Sequence, residues 1–289
     1  MRASVVLTPA ESKRLMAKAV ARMEEVRIAM ETAYVIVCSG STTTLVAQEL
    51  FGISIDVSTF TCGLSISGVL CNSDRDIRGE FPLIAHKGEL IDATIDEALN
   101  DFHRETVIIK GANAVDRDGF VGIITSGYTG GSLAQVIGTS VSQGLQIICP
   151  VGLEKAVFSV PRVARYTGGK RFDYSMGADY GLFVLSNAEV ITEIEAVALL
   201  SGAQAFHVAS GGIGGSEGAV ILVIDGNEQE VRSAIELVNG VKGEPPLRGV
   251  RMKCPGQTNA AGAPKQCKYV NCAFFDIEEH ALPLWLRSS

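Results

Sequence analysis

Apolar and polar positions along the chain change period several times, and each change marks an element. The first clear period is helical. Thr8 is placed to cap it, Pro9 suits its first position, and Glu11 completes a capping box three residues after Thr8. Met16, Ala19, Val20, Met23, Val26 and Met30 then fall on one stripe, which predicts a continuous amphipathic helix lying against a core. Downstream the periods alternate. Residues 34–38 read as a strand and about 42–51 as a helix, followed by strand-like runs near 53–59 and 82–86 and a helix over 92–103. Strands at 106–110 and 120–124, a helix at 132–143 and a strand at 145–149 continue the series. This alternation predicts an α/β fold, a Rossmann-like, largely parallel sheet with helices on both faces, spanning residues 1–164.

A Gly- and Tyr-rich stretch, RYTGGKRFDYSMGADYG (165–181), reads as a linker loop. Beyond it come a strand at 182–186, a helix at 190–201, strands at 205–209 and 219–224, a helix at 227–239 and a strand at 249–253. That βαββαβ order predicts a ferredoxin-like α+β second domain over 182–253, a type of unit that often serves regulation or homo-oligomer assembly. Residues 254–289 form a Cys-containing tail. No internal repeat or low-complexity tract is present.

Ligands of parallel sheets collect beyond the carboxyl ends of the strands, so the junctions there carry the candidate chemistry. The first, Ser39-Gly40-Ser41-Thr42-Thr43-Thr44, offers hydroxyls and the bare amides of a helix N-terminus, a combination suited to a phosphate group. The second, TSGYTGGSLAQVIG (125–138), brings Ser126, Gly127, Thr129, Gly130 and Gly131 before another helix. The third, KGANAVDRDG (110–119), closes a strand with Lys110, Asn113 and Asp116. Asp116 is the first candidate for a catalytic base, with Lys110 as its electrostatic partner, and Glu154 with Lys155 forms a second pair after the CPVGL turn. Each has a structural reading as well. A Ser/Thr cluster caps helices, Asp116 suits an Asx turn, and Glu154–Lys155 suits a solvated ion pair. The loop SGGIGGSEG (210–218) leads into a strand rather than a helix, so it reads as a hairpin or a cover for the cleft.

Charge and composition narrow the partners. A formal charge of −7 and a pI near 5.2 argue against nucleic acid, which needs clustered Lys and Arg. Hydrophobic residues make up 47% and mean hydropathy is +0.25, yet no apolar run is long enough to cross a membrane, so no membrane partner is expected. The start lacks the pattern of a secretory signal, and a cytoplasmic location is expected. Of seven cysteines, Cys38, Cys62, Cys71 and Cys149 sit among apolar neighbours. Cys254, Cys267 and Cys272 with His280 could supply three thiolates and an imidazole to a structural zinc, although the spacing C-x12-C-x4-C-x7-H matches no standard finger and thiols without metal are the plainer reading. No other cofactor is expected.

SGSTTTLVAQEL, entered from a helix and a strand, resembles the sugar-phosphate sensor domain of DeoR-type repressors. HKGELIDATIDEALNDFHRETVIIKGANAVDRDG is similar to that family's passage from a Gly-Gly-Glu-Leu turn to a G-A-x-x-[IV]-D loop, with His86-Lys87-Gly88-Glu89-Leu90 departing at one glycine. The first loop is also similar to the G-x-G-S-T turn of ribose-5-phosphate isomerase, and these proteins share a superfamily with glucosamine-6-phosphate deaminase and CoA transferases. The resemblance covers about residues 10–160. It implies a phosphorylated sugar-like metabolite, with Ser39 to Thr44 and Gly127 to Gly131 at the phosphate and Lys110, Asn113 and Asp116 at the sugar. No helix-turn-helix is legible before residue 10, so the sensor reading comes without a DNA-binding part. The isomerase D-G-A-D-E and K-G-G-G loops are absent in that form. Two functions are therefore expected of one cleft: a stand-alone binding protein or sensor, or an isomerase or CoA-transferase-like enzyme.

Overall fold

The computed structural model describes residues 1–252, 254, 267, 269–275 and 277–287, residue 75 excepted. A strand, β1 (Arg2–Leu7), which the sequence pattern did not predict, precedes the capping box. The box itself forms. Thr8 N–H donates to Glu11 Oε2 at 2.9 Å and Glu11 N–H to Thr8 Oγ1 at 3.4 Å, starting α1 (Pro9–Arg22). The stripe expected to run on in one helix breaks at Met23, whose extended ψ of 139° opens a second helix, α2 (Glu24–Thr32).

The alternating series follows as β2 (Tyr34–Val37), α3 (Ser41–Phe51), β3 (Gly63–Ile66), β4 (Val69–Asn72), β5 (Leu83–His86), β6 (Glu89–Ile91) and α4 (Ile95–Asn100). Next come β7 (Val107–Ile109), β8 (Ala114–Val115), β9 (Val121–Thr125), α5 (Gly131–Gln143), β10 (Gln146–Pro150) and α6 (Val160–Ala164). The last part holds β11 (Gly181–Leu185), β12 (Glu189–Ile191), α7 (Glu193–Ser201), β13 (Gln204–Gly211), β14 (Ala219–Asp225), α8 (Glu228–Val241) and α9 (Leu284–Arg287). The strand-like run at 53–59 forms no strand.

The result is a mixed α/β protein with a six-stranded sheet in the order β12-β10-β7-β2-β5-β6. β2, β7, β10 and β12 are parallel, and β5 and β6 complete it antiparallel. Its central strands read as unbroken apolar runs because both faces are covered. Val35, Val37, Val107, Ile109 and Ile148 join one core with α1, α2, α3 and α7, whereas Ile36, Cys38, Ile108, Ile147 and Cys149 join a second core with α4 and α5.

The strands of residues 182–253 do not pair among themselves as the βαββαβ order requires. β11 pairs with β9 in the sheet β11-β9-β8, and β12 forms an edge of the large sheet. β14 instead lies between β13 and β1, with Leu7 opposite Val220. At 249–253 the described residues show a single bridge, Arg251 to Ser73. Pairing between distant segments is settled by which apolar faces must be covered, and local pattern does not carry that information.

Candidate functional site

The carboxyl ends of β2, β7, β10 and β12 define one rim. β2 runs into Cys38, Ser39 and Gly40, then α3 begins. Its first-turn hydroxyls do not all face a ligand. Thr43 Oγ1 and Thr44 Oγ1 donate to the Gly40 carbonyl at 3.0 and 2.7 Å, and Thr42, Thr43 and Thr44 are buried. Thr43 and Thr44 fasten the helix start, which corrects the assignment of their hydroxyls to a phosphate. Ser39, Gly40 and Ser41 remain partly exposed. Lys110, just past β7, reaches across the neighbouring strand to the Ser39 carbonyl at 3.3 Å.

The second glycine loop comes to the same rim. Ser132 in the first turn of α5 approaches the Cys38 thiol, and the Lys110 charge acts on both Cys38 and Cys149. Burial pushes both thiols up, Cys149 to about 12, so each is a protonated core residue and not a nucleophile. Gly127 and Thr129 are exposed, Gly130 N–H closes a turn onto Gly127 O at 3.1 Å, and Gly131 opens α5. Ser126 is engaged elsewhere, 2.9 Å from the Tyr269 hydroxyl.

Two predicted site residues are occupied by the backbone. Asp116 is 7% exposed. Its Oδ1 accepts from Asp118 N–H at 3.1 Å and Phe120 N–H at 3.0 Å, and its Oδ2 accepts from Val160 N–H at 2.8 Å. It shapes the β8–β9 turn and anchors the start of α6, so the Asx reading holds and a base role does not. Asn113 is exposed, and its Oδ1 accepts from Ile124 N–H at 2.9 Å across the same hairpin.

The other predicted pair sits in a richer setting than sequence indicated. Past β10 a short 3-10 turn, Leu153–Lys155, presents Glu154, and past β12 the first residue of α7 is Glu193. The first turns of α1 add Ser12 and Lys13. Glu154 Oε1 lies 3.1 Å from Lys155 Nζ and 3.9 Å from Lys13 Nζ. Glu193 is fully buried, with Oε2 accepting from Leu153 N–H at 2.9 Å. The Ser12 hydroxyl approaches Glu193 without closing a well-formed bond.

Among the described residues, four buried side-chain oxygens lack a hydrogen-bond partner, and Ser12 Oγ, Glu154 Oε2 and Glu193 Oε1 are three of them. Buried polar atoms are normally satisfied, so their concentration in one cluster singles it out. Burial, then the Lys155 charge, lowers Lys13 to about 8, against the pull of Glu154 and Glu193. Burial raises Glu193, and Glu154 adds to the rise. A lysine and a carboxyl drawn toward neutrality side by side are the arrangement that proton-transfer sites use.

Two glycines fit this cluster closely. A Cβ on Gly152 would fall 1.8 Å from Glu154 Oε2, so only glycine lets the carboxylate fold back over the turn. Gly218, at φ +79°, ends the 210–218 hairpin loop between β13 and β14 close to Pro9 and Glu154. The signal that could have found Lys13 and Glu193 was absent. Lys13 follows a capping box as an ordinary polar-face residue, and an acidic residue in the first turn of a helix usually complements its dipole. A recess of about 650 Å³ opens on the opposite edge, at the start of β10, but among the described residues Arg104 is the one charged residue lining it.

Among the described residues no group of three or more Cys, His, Asp or Glu that could hold a metal ion is found, the predicted zinc quartet included. His280 is exposed and lies 3.2 Å from Glu278, while Cys254, Cys267 and Cys272 face a cavity against β4. Compared with protein-family models, curated proteins and solved structures, the chain gives no match. No helix among the described residues is long and apolar enough to cross a membrane.

Proposed function

We propose that the protein binds a phosphorylated, sugar-like metabolite at the carboxyl rim of its parallel strands, as a stand-alone sensor or binding protein in the cytoplasm. The observation that carries this reading is the contact between Ser132 and Cys38, with Lys110 beside it. It gives two helix N-termini and a cation a common rim, the combination that favours an anion. In this reading the core is Rossmann-like, β13 and β14 with α7 and α8 form a ferredoxin-like unit completed by β1, and the chain is a distant relative of the sugar-phosphate isomerase and sensor superfamily. The phosphate lies against the amides of Ser41 and Thr42 and the Gly127–Gly131 turn.

A thermal-shift series with inorganic phosphate, sugar phosphates, nucleotides and acyl-CoAs tests it. A ligand at 100 times its Kd stabilises by about 2.7 kcal/mol. Lys110→Ala is expected to remove most of that shift. A shift of unchanged size in this variant would place the ligand elsewhere.

A second reading, an enzyme of the aldose–ketose isomerase kind, is favoured by the unsatisfied Ser12, Glu154 and Glu193 oxygens around Lys13. Here Lys13 or Glu154 takes the carbon-bound proton, Glu193 donates to the carbonyl oxygen, and Lys155 stabilises the developing charge. Solvent deuterium entering the carbon next to the carbonyl of a sugar phosphate would report it. Exchange abolished by Lys13→Met and Glu193→Gln, with the phosphate shift intact, supports catalysis; a ligand bound without any exchange leaves the sensor reading.

A further inference from the structure

We propose that residues 162–171 and the neighbouring Gly127–Gly131 turn form a binding surface for single-stranded nucleic acid. Arg162, Arg165, Lys170 and Arg171 supply the cations, and Tyr128 and Tyr166 supply the stacking rings. The net charge of −7 is an average, and this stretch runs against it: from Lys155 to Phe172 there is no Asp or Glu. Charges are screened beyond about 8 Å at physiological salt, so a bound strand responds to the local patch and not to the mean.

All four cations are exposed. Arg14, Lys18 and Lys242 are matched by carboxylates, whereas among the described residues none of these four is in an ion pair. Asp179, which lies against Gly169, is taken by Ser175 Oγ at 2.9 Å and Asn271 Nδ2 at 3.0 Å. Tyr166 is 76% exposed, and Tyr128 and Phe158 are fully so. A tyrosine in a folded chain normally buries its ring and wets its hydroxyl, so rings left wholly in water are spare stacking surface.

The two loops are held side by side. Gly168 N–H donates to Tyr180 O at 2.8 Å, Leu182 N–H donates to Thr167 Oγ1 at 3.0 Å, and Phe172 packs on Tyr180 at 5.2 Å between ring centres. β11 begins there. Its Gly181 lies opposite Thr125 of β9, the strand that runs into the turn carrying Tyr128. Arg171 Nη1 donates to the Arg165 carbonyl at 2.8 Å, which draws the two ends of the basic run together.

This chemistry selects its occupant. A small molecule takes a concave site, and these rings stand proud of the surface. A duplex keeps its bases stacked inside, out of reach of the rings, whereas a single strand offers a base face to each. Three of the four cations are arginines, whose planar forks meet phosphate oxygens in pairs. A lipid surface is met by an amphipathic helix, and α6 has only five residues.

The test is fluorescence anisotropy of the full chain with a labelled oligouridine of about ten nucleotides. Each phosphate contact on a single strand adds about 0.7 to the salt slope, so four predict a slope of about −2.8, a loss of about 50-fold in affinity between about 50 and 200 mM salt. Arg162→Gln with Arg165→Gln should weaken binding about tenfold and bring the slope to about −1.4. Tyr166→Ala should also weaken binding about tenfold, with the slope unchanged, as loss of one stacked base would. Arg232→Gln, on α8, should alter neither. Circular dichroism checks that each variant is folded. The proposal is overturned if the wild type does not bind the oligonucleotide at about 50 mM salt, or if a duplex of equal length binds as tightly. It is equally overturned if polyglutamate, or vesicles of equal parts phosphatidylserine and phosphatidylcholine, displace the strand as well as unlabelled oligouridine does. A folded arginine double variant that keeps the full slope, or a Tyr166→Ala chain that binds like wild type, overturns it too.

Discussion

Asp116 and Glu193 are both buried carboxyls at loop junctions, yet they differ in what meets their oxygens. Three backbone N–H groups converge on Asp116, and the charge is absorbed by the turn it organises. Glu193 receives one, from Leu153, and its second oxygen faces Ser12 and the Lys13–Glu154 pair without a bond. By residue type and position Asp116 looked the more catalytic. Counting bonds reverses the order: a satisfied carboxylate is architecture, and an unsatisfied one in a charged cluster has capacity left for a ligand. Glu11 makes the same point from within α1, since its two oxygens are taken by Thr8, Lys242 and Gly243.

The contrast can be broken at several points. The largest effect is expected at Asp116→Ala, which strands three amides and should cost about 4 kcal/mol in urea unfolding. A loss below about 1 kcal/mol would return Asp116 to the list of functional candidates.

Next comes Lys13. Its folded value of about 8 lies below the ordinary 10.5, so the unfolded chain binds more protons between those values and stability rises with pH across that window, by roughly 3 kcal/mol. Lys13→Met should flatten the rise. If wild type and variant follow the same curve from pH 8 to 10.5, Lys13 is an ordinary solvated lysine.

Glu193 should behave in the opposite sense. Its value is raised, so its contribution is present below the ordinary carboxyl value and is lost as pH climbs through the folded one. Glu193→Gln should therefore be about 1 kcal/mol more stable than wild type at pH 7, with the two curves meeting in acid. A destabilised variant at neutral pH would mean that the ionised carboxylate is structural.

The smallest effect, about 1 kcal/mol, is expected for Thr44→Val, which deletes one hydroxyl bond to Gly40 O. Ligand-induced thermal shifts should survive this change. Their disappearance would put the Thr44 hydroxyl on the ligand after all.

What sequence could reveal follows the range of the interactions. The Thr8–Glu11 box and the strand–helix alternation from Tyr34 to Pro150 depend on neighbours, and their periods expose them. The break at Met23 has no glycine or proline to announce it. β1 does alternate, with Ala3, Val5 and Leu7 on the packed side, but its partner lies near the other end of the chain. The destination of residues 182–186 was equally hidden, because β9 competes for the same apolar face. Of the site, Glu154, Lys155 and Lys110 were legible as charges at strand ends. Lys13 and Glu193 were not, since their burial is made by segments about 140 and 40 residues away.

The partnership of β1 with β14 also sets an order of events during synthesis. Leu7 cannot find Val220 until the ribosome has released that later strand, so at about 5–20 residues per second the first strand waits on the order of tens of seconds with its edge bare. Throughout that interval RASVVL is a short sticky ribbon. Its arginine and serine, on the side that later faces solvent, are what keep the nascent chain from pairing with a stranger.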